Sequence, residues 1–329
     1  MTNYETFGIA PEKVDEFIQT RASCGRATLT HLFKSAYPDF SEFCQTHLQM
    51  QPDTMSEVLW NLWLPLGIKI AWQRQKLGRP LIQGILGGQG TGKTTMCQVL
   101  SLILRHLGYH ALSLSLDDLY KTYRDRQILQ QQDPRLIWRG PPGTHDVELG
   151  LTVLDRIRNC ELPVAVPRFD KSAHGGAGDR TTPEIVANAD IVLFEGWFVG
   201  VQPIDPAVFD RPPPPIFTAE DKAFARDMNH KLYDYLPLWQ RLDSLIVLYP
   251  KDYRLCVEWR KQAERQMIAA GKSGMSDSEI EQFVNYFWLS LHPELFIKPL
   301  VESPKLVDLV IEVNSDHSFG AVYRPIRFS

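Results

Sequence analysis

The hydrophobic pattern divides the chain into two parts. Residues 1 to about 78 show helical periodicity without strand signals, whereas short apolar runs alternate with helical periods from Pro80 onward. The apolar runs are "IQGIL" (82–86), "ALSLSL" (111–116), "VAVP" (164–167), "DIVLFEG" (190–196), "DSLIVLYP" (243–250) and "LVDLVIEV" (306–313). This alternation predicts an α/β fold with a doubly wound, mostly parallel sheet flanked by helices, preceded by an N-terminal helical extension. We place the boundary near residue 78, with the main domain over 79–329.

A glycine-rich segment follows the first predicted strand and leads into a helical period. It meets the pattern G-x-x-x-x-G-K-[ST], which in this strand, loop and helix context is typical of a P-loop. Glycines let backbone N–H groups approach a phosphate at the N-terminus of the helix. We therefore predict an ATP site formed by Gly87, Gly88, Gln89, Gly90, Thr91, Gly92, Lys93, Thr94 and Thr95. Lys93 would reach the β- and γ-phosphates, and the Thr94 hydroxyl would bind Mg²⁺.

Acidic and basic side chains follow several of the predicted strands. Ligands of doubly wound sheets bind beyond the carboxyl ends of the strands, so these positions are candidates for chemistry. Asp117 and Asp118 follow the second strand, and Glu195 ends the strand "DIVLF". Asp117 is the candidate general base for an acceptor hydroxyl. Glu195 is the candidate acid that holds Mg²⁺ together with Thr94.

Cations are concentrated in the segments that we expect to meet the acceptor. The predicted acceptor residues are Arg139 and His145 in "WRGPPGTHD", and Arg168, Asp170, Lys171 and His174 in "PRFDKSAH", with Arg180 nearby. Residues 171–180 are predicted to form a glycine-rich loop with a catalytic or gating use. Because arginine pairs with carboxylates and phosphates through two parallel hydrogen bonds, the pattern favours a small anionic acceptor.

A charged helical segment near the C-terminus is a candidate lid. Arg260 and Arg265 lie five residues apart in "EWRKQAERQMIAAGKSGMSDSE", before a glycine-containing loop. In a lid over about 251–292, both could close over the phosphates as catalytic cations. The alternative is an ordinary solvated helix face.

Composition narrows the class of partner. The net charge is −4 and no Lys/Arg-rich run is present, so nucleic acid is a disfavoured partner. The apolar stretch 58–72 is short and is interrupted by polar residues and a proline, so we expect no membrane span. Five scattered cysteines suggest reduced thiols, and the N-terminus has no features of a signal or transit peptide. These features predict a cytoplasmic protein.

Several motifs resemble those of a known kinase family. "GGQGTGKTT", "LSLDDLY", "RFDKSAHGGAGDR" and "VLFEGW" look like the P-loop family that includes phosphoribulokinase, uridine kinase and pantothenate kinase. Within it, "RGPPGTHDVELG", "MNHKLYDYLPLW", "EWRKQAE" and "GKSGMSDSEIEQFV" resemble the D-glycerate 3-kinases of plant and cyanobacterial type. The resemblance covers about residues 80 to 315. It implies ATP- and Mg²⁺-dependent phosphorylation of D-glycerate to 3-phosphoglycerate, as in photorespiratory carbon salvage.

The resemblance also assigns two residues by position. Asp117 matches the family's catalytic Asp in "S-x-D-x-[FL]-Y", and Asp170 matches the Asp of the substrate-side "Y-D" motif, with Phe169 in place of the tyrosine. Two alternatives remain. One is a kinase of the same fold that acts on another small hydroxylated acid, a sugar phosphate or a nucleoside. The other is a nucleotide-binding regulatory protein, which the presence of both Asp117 and Glu195 disfavours.

Overall fold

The computed structural model describes residues 26–269 and 274–325. Three parts of the sequence analysis fall outside these ranges. They are the start of the predicted extension with its N-terminal features, Cys24, and residues 270–273 of the predicted lid.

Eight β-strands form two sheets in the described part of the chain. They are β1 (Leu81–Gly87), β2 (Ala111–Ser115), β3 (Val164–Asp170), β4 (Asp179–Val186), β5 (Ile191–Gly196), β6 (Ser244–Pro250), β7 (Leu309–Val313) and β8 (Phe319–Tyr323). The main sheet has the order β2-β5-β1-β6-β7-β8. Its first five strands are parallel and β8 is antiparallel to β7. These five parallel strands coincide with five of the predicted apolar runs.

Helices cover both faces of the main sheet. They are α1 (Arg26–Phe43), α2 (Pro52–Val58), α3 (Leu64–Leu77), α4 (Lys93–His106), α5 (Tyr123–Gln132), α6 (Val147–Arg158), α7 (Ala219–Lys231), α8 (Leu236–Trp239), α9 (Leu255–Ala269), α10 (Asp277–Ser290) and α11 (Pro293–Val301). All seven residues of β1 are buried, which explains its mostly apolar sequence, and the one polar side chain, Gln83, is hydrogen-bonded to Ser244. Among the described residues, no helix is both long and apolar enough to cross a bilayer.

The predicted strand "VAVP" is not part of the parallel sheet. As β3, it pairs antiparallel with β4 in a separate hairpin, with Asp170 opposite Asp179. The predicted loop 171–180 is accordingly shorter, because Asp179 and Arg180 already belong to β4. No strand signal is visible there, because most of the side chains of β4 are exposed, which removes the alternation of apolar and polar positions.

The N-terminal helices share their apolar core with the main sheet. One cluster joins residues of α1 and α3 to inward-facing side chains of β1, β5, β6 and β7. Trp63, just before α3, is 1% exposed and meets Phe40 and Phe319 at ring-centroid distances of 5.9 Å each. The predicted extension therefore packs as a layer on one sheet face, and the boundary near residue 78 stays a prediction.

Because Trp63 joins the helical layer to the sheet, we expect Trp63→Ala to lower the free energy of unfolding by about 3 to 5 kcal/mol. Trp72→Ala is the matched control, since Trp72 is 53% exposed and contacts Lys76, and it should cost less than about 1 kcal/mol. Urea denaturation followed by circular dichroism measures both values. Equal midpoints for the two variants would contradict a shared cooperative core.

Candidate active site

The glycine-rich loop connects β1 directly to α4. Gly90 and Gly92 have φ angles of 75° and 86°, which glycine adopts without strain. The Thr91 hydroxyl and the Lys93 ammonium each donate a hydrogen bond of 2.9 Å to the carbonyl oxygen of Gly88. The loop therefore folds back on itself, and α4 begins at Lys93 with its first N–H groups at the loop.

Two of the loop glycines are required because other groups come close to the backbone. A Cβ at Gly87 would lie 2.5 Å from the Thr91 hydroxyl oxygen, and one at Gly90 would lie 2.6 Å from the Cβ of Trp259. Trp259 belongs to α9, whose first half therefore packs against the loop. This contact brings the predicted lid helix to the edge of the phosphate cradle.

Thr94 and Glu195 fit the role predicted for a Mg²⁺ site. Thr94 is exposed in the first turn of α4, and Glu195 lies half-buried at the end of β5. Burial raises the pKa of the Cys97 thiol and Glu195 raises it further, while Lys93 opposes the rise, so both charges act close to Cys97. A hydroxyl and a carboxylate near phosphate oxygens suit Mg²⁺, which keeps several waters.

Hydrogen bonds give the adjacent aspartates different roles. Ser115 caps the short 3₁₀ turn Leu116–Leu119: its hydroxyl accepts from the N–H of Asp117, and its own N–H donates to the Asp118 carboxylate. Asp118 therefore turns back onto its own segment. The Asp117 carboxylate instead meets the Lys171 ammonium at 2.6 Å.

The two carboxyl groups also differ in acidity. Burial alone would raise the pKa of Asp117, but Lys171 and a hydrogen bond from the Tyr120 hydroxyl hold it below its usual value. Burial raises the pKa of Asp118, and the Ser115 N–H and Arg168 offset this only in part. Asp117 is therefore the more firmly ionised of the two.

His145 is buried beside Asp117. The hydroxyl oxygen of Tyr235 accepts from the N–H of Gly143 at 2.8 Å and lies 2.8 Å from His145 Nδ1. Because this oxygen already accepts from Gly143, we expect the Tyr235 hydroxyl to donate to Nδ1, which would place the imidazole proton on Nε2. Nε2 is buried and has no hydrogen-bond partner among the described residues. Burial lowers the pKa of His145 to about 3, so the ring is neutral.

Arg126 and Arg139 form a pair of cations, and neither makes a salt bridge with a carboxylate in the described part of the chain, although the charge of Asp179 acts on Arg126 at longer range. Both donate to carbonyl oxygens of residues 176–178, and both lie over the ring of Phe169, at 5.4 and 5.6 Å from its centroid. Burial lowers the pKa of Arg126, and the charge of Arg139 lowers it further, which shows that the two guanidinium groups are close. Neighbouring cations held only by carbonyl groups are suited to bind an anion.

Arg168 and Arg180 are engaged elsewhere. Arg168 pairs with Asp118 at 3.0 Å and with Glu184 at 2.7 Å. Arg180 pairs with Asp146 at 2.9 Å. An acceptor contact by Arg168, as predicted, would require its ion pairs to break.

The remaining predicted acceptor residues also differ in placement. His174 lies 3.1 Å from the Asp179 carboxylate and stacks on a tyrosine ring, and the exposed Asp170 accepts from the N–H and hydroxyl of Ser172. Both interactions are local to the hairpin loop. Lys171 reaches out of the same loop to Asp117, so the structure brings Asp117, Lys171 and His145 together.

The two predicted lid arginines form ion pairs within the helical region. Arg260 pairs with the buried Glu264 at 2.8 Å, and Arg265 pairs with Asp277 of α10 at 2.6 Å. Arg260 directly follows Trp259, which contacts the P-loop, whereas Arg265 is largely exposed. A contact of either arginine with the phosphates stays a prediction.

Sequence reasoning missed three side chains of this site. Tyr120 and Tyr235 both lie in quoted motifs, "LSLDDLY" and "MNHKLYDYLPLW", so a signal existed but no role was assigned. Arg126 lies in the polar segment "YRDRQILQQQ", and its partners in the hairpin loop, Ala177 and Gly178, are 51 and 52 residues away in the chain. No local pattern could have identified it.

Comparison with known proteins establishes the family, although no family model matches the chain. "Uncharacterized kinase mug58" of Schizosaccharomyces pombe is 34% identical over 219 residues, which cover 64% of this chain and 79% of that protein. "Probable ATP-dependent kinase TDA10" of Saccharomyces cerevisiae is 32% identical over 248 residues, 69% of this chain and 81% of that protein. This chain belongs to the same family of P-loop kinases. The predicted activity class, an ATP-dependent kinase, is confirmed.

Other members of this P-loop kinase family have named substrates or solved structures. The chloroplastic D-glycerate 3-kinase of Arabidopsis thaliana is 32% identical over 219 residues, which span 63% of this chain but 46% of the plant protein. The structure of the Cryptococcus neoformans D-glycerate 3-kinase has a TM-score of 0.67 at 27% identity, covering 75% of this chain and 90% of that one. The protein YGR205w also gives 0.67, at 28% identity, covering 80% and 99%. The predicted P-loop α/β fold is thereby confirmed.

The tautomer of His145 gives a direct test of the site geometry. We expect two-bond ¹H–¹⁵N spectra to show the proton on Nε2 and no titration of this ring between pH 8 and pH 5, because burial keeps its pKa at about 3. Since unfolding returns the ring to a pKa of 6.5, it contributes a loss of stability as the pH falls from about 6.5 toward 3. Tyr235→Phe is the control and should remove the preference for the Nε2 proton. A His145 titration midpoint between pH 6 and 7 would contradict the assignment.

Proposed function

We propose that this kinase transfers the γ-phosphoryl group of ATP to the 3-hydroxyl of D-glycerate, giving ADP and 3-phosphoglycerate. The observation that carries the proposal is the pair Arg126 and Arg139, which makes no salt bridge with a carboxylate among the described residues and lies on the acceptor side near Asp117 and His145. The named D-glycerate 3-kinases among its relatives support the same acceptor.

The nucleotide half of the site is built by the P-loop. Backbone N–H groups of the loop and of the first turn of α4 would surround the phosphates, and Lys93 would leave the Gly88 carbonyl to meet the transferring group. Thr94 and Glu195 would hold Mg²⁺, which neutralises charge on the phosphates when it is bound.

The acceptor half is built by the segments around Asp117. The glycerate carboxylate would form charge-assisted hydrogen bonds to Arg139 and Arg126, and His145 Nε2–H would donate to a hydroxyl oxygen. The 3-hydroxyl would donate to the Asp117 carboxylate. Its oxygen forms the new bond to phosphorus while the bond from phosphorus to the ADP oxygen breaks, and its proton passes to Asp117. Lys171, paired with Asp117, keeps this base ionised.

Three further assignments belong to the same proposal. Residues 79–329 form the kinase domain, with a lid over about 251–292 that includes Arg260 and Arg265. The free cysteines Cys44, Cys97, Cys160 and Cys256 favour a reducing, cytoplasmic compartment. The product, 3-phosphoglycerate, would return carbon in photorespiratory salvage.

The adjacent aspartates allow a matched test of the base. Asp117→Asn should lower kcat for D-glycerate by about 10²- to 10⁴-fold, because the hydroxyl proton loses its acceptor. Its Kd for ATP should change little. Asp118→Asn should keep a much larger share of kcat, since Asp118 caps its own turn. Coupled ADP-release kinetics measure both variants, and the reverse order of activities would assign the base to Asp118.

The acceptor site predicts selection for a carboxylate. D-Glycerate should be phosphorylated far better than glycerol, because a neutral acceptor leaves the arginine pair without a counter-charge. Arg139→Lys should raise KM for D-glycerate by about 10- to 100-fold, as expected for the loss of a charge-assisted hydrogen bond, with little change in KM for ATP. Arg168→Lys is the matched control and should have a smaller effect, since its partners are Asp118 and Glu184.

ADP release with a panel of acceptors measures this selection, with Lys93→Ala as the inactive control. Equal use of glycerol and D-glycerate, or a larger KM effect of Arg168→Lys than of Arg139→Lys, would contradict the assigned carboxylate site. Preferred turnover of uridine, pantothenate or a sugar phosphate would assign the kinase to another acceptor of this family.

A further inference from the structure

A cavity of about 250 Å³ lies beside the first residues of the P-loop, away from the acceptor cations. The carboxyl ends of β1, β5 and β6 form its floor, and α9, α10 and α11 form its walls. Its aromatic lining residues are Trp197, Phe198, Tyr249, Tyr253, Phe287 and Trp288. This position, beyond the ends of the central parallel strands, is where doubly wound sheets bind ligands.

The interior of the cavity is uncharged. The charged residues that line it, Lys251, Glu294 and Lys298, are all exposed, so they lie at its mouth. Burial raises the pKa of the Cys256 thiol in its wall to about 11, which keeps this group neutral. The cavity therefore contrasts with the acceptor site, where an anion would meet arginines.

The walls are held in place by specific contacts. The rings of Tyr253 and Trp288 meet edge to face at 4.9 Å. His292 is fully buried at the start of α11, where its Nε2 donates to the Pro214 carbonyl at 2.8 Å and its Nδ1 accepts from the N–H of Glu294. These contacts orient two of the lining rings and anchor the start of α11.

Trp197 and Phe198 separate the cavity from the acceptor site. The Trp197 indole N–H donates to the Gly140 carbonyl at 3.2 Å, and the Phe198 ring lies 5.5 Å from the His145 ring. Both side chains thus present one face to the residues around His145 and also line the cavity. D-Glycerate, small and charged, matches the first environment and not the second.

Gln89 supplies one polar group to the cavity. Its side-chain oxygen Oε1 is shielded from solvent and has no hydrogen-bond partner in the described part of the chain. A buried acceptor without a donor costs free energy, which a ligand N–H would recover. The apolar volume around it exceeds the share of a single water several-fold, so aromatic atoms fill it better than solvent does.

We propose that this cavity is a second ligand site, which binds a small planar aromatic molecule carrying an N–H donor. The ring packs among Trp197, Tyr253, Phe287 and Trp288, and the N–H donates to Gln89 Oε1. The cavity adjoins the P-loop residues Gly87, Gly88 and Gln89, so this ligand would lie beside the nucleotide and not in its place. Its ligand belongs to the class of N–H heterocycles or aromatic amines.

Indole and benzofuran are matched probes, because benzofuran replaces the indole N–H by an oxygen in the same bicyclic frame. In ligand-observed NMR titrations of the full chain, indole should bind one site with a Kd on the order of 0.1 to 1 mM. Benzofuran should bind about 2- to 10-fold more weakly, as expected for one hydrogen bond. Indole binding should persist at saturating ADP and D-glycerate.

Two phenylalanine substitutions complete the test. Ile297→Phe fills the cavity and should weaken indole binding at least about tenfold, whereas Leu306→Phe adds the same ring at an exposed position outside the lining and should leave it unchanged. Absence of saturable indole binding, equal affinity for benzofuran, or displacement by ADP would overturn the proposal. Displacement by ADP would assign the cavity to the nucleotide. None of these outcomes depends on which acceptor the kinase uses.

Discussion

The pairing register of three parallel strands is the constraint on which the site depends. Glu195 of β5 lies opposite Ile85 of β1 on one side and opposite Ser115 of β2 on the other. Each strand therefore ends at the same edge, and the P-loop, the metal-binding candidate and the candidate base emerge side by side. Because side chains alternate between faces, a slip of one residue in β5 would turn Glu195 out of the site. The helical layers on both faces bury this sheet and fix the register.

Short-range hydrogen bonds give chemically identical groups in the site different partners. Asp117 and Asp118 are neighbours in the chain, yet a serine cap holds one on its own turn and leaves the other for Lys171. A similar arrangement holds at His145, where the hydroxyl of Tyr235 lies 2.8 Å from Nδ1 and would leave the proton on Nε2 in the expected tautomer. In both cases a neutral hydroxyl orients a titratable neighbour.

Much of the architecture could be predicted from the sequence, because its signals are local. The five parallel strands are short apolar runs, and the P-loop pattern specifies a turn that only glycine and a helix start can form. The hairpin of β3 and β4 was harder to predict from the sequence. Its β4 strand is exposed and lacks periodicity, so β3 was assigned to the wrong sheet. Arg168 pairs with Asp118, 50 residues away, and Arg126 donates to the Ala177 carbonyl, 51 residues away. Such pairings follow from topology, which no local pattern encodes.

The hydrogen bonds from two arginines to the hairpin loop bear on how the proposed acceptor would bind. Arg126 and Arg139 donate hydrogen bonds to the carbonyl oxygens of residues 176–178. Uncharged acceptors therefore occupy the guanidinium N–H groups that an anion would bind. If the carboxylate of an acceptor replaced one of these carbonyl oxygens, a neutral hydrogen bond would give way to a stronger, charge-assisted one. The desolvation penalty would be smaller than for a fully hydrated arginine, because these N–H groups are already bonded to protein. The same loop carries Lys171 to Asp117. Because residues 176–178 and Lys171 belong to one hairpin loop, a displacement of its tip would reach both the arginine pair and the ion pair at Asp117.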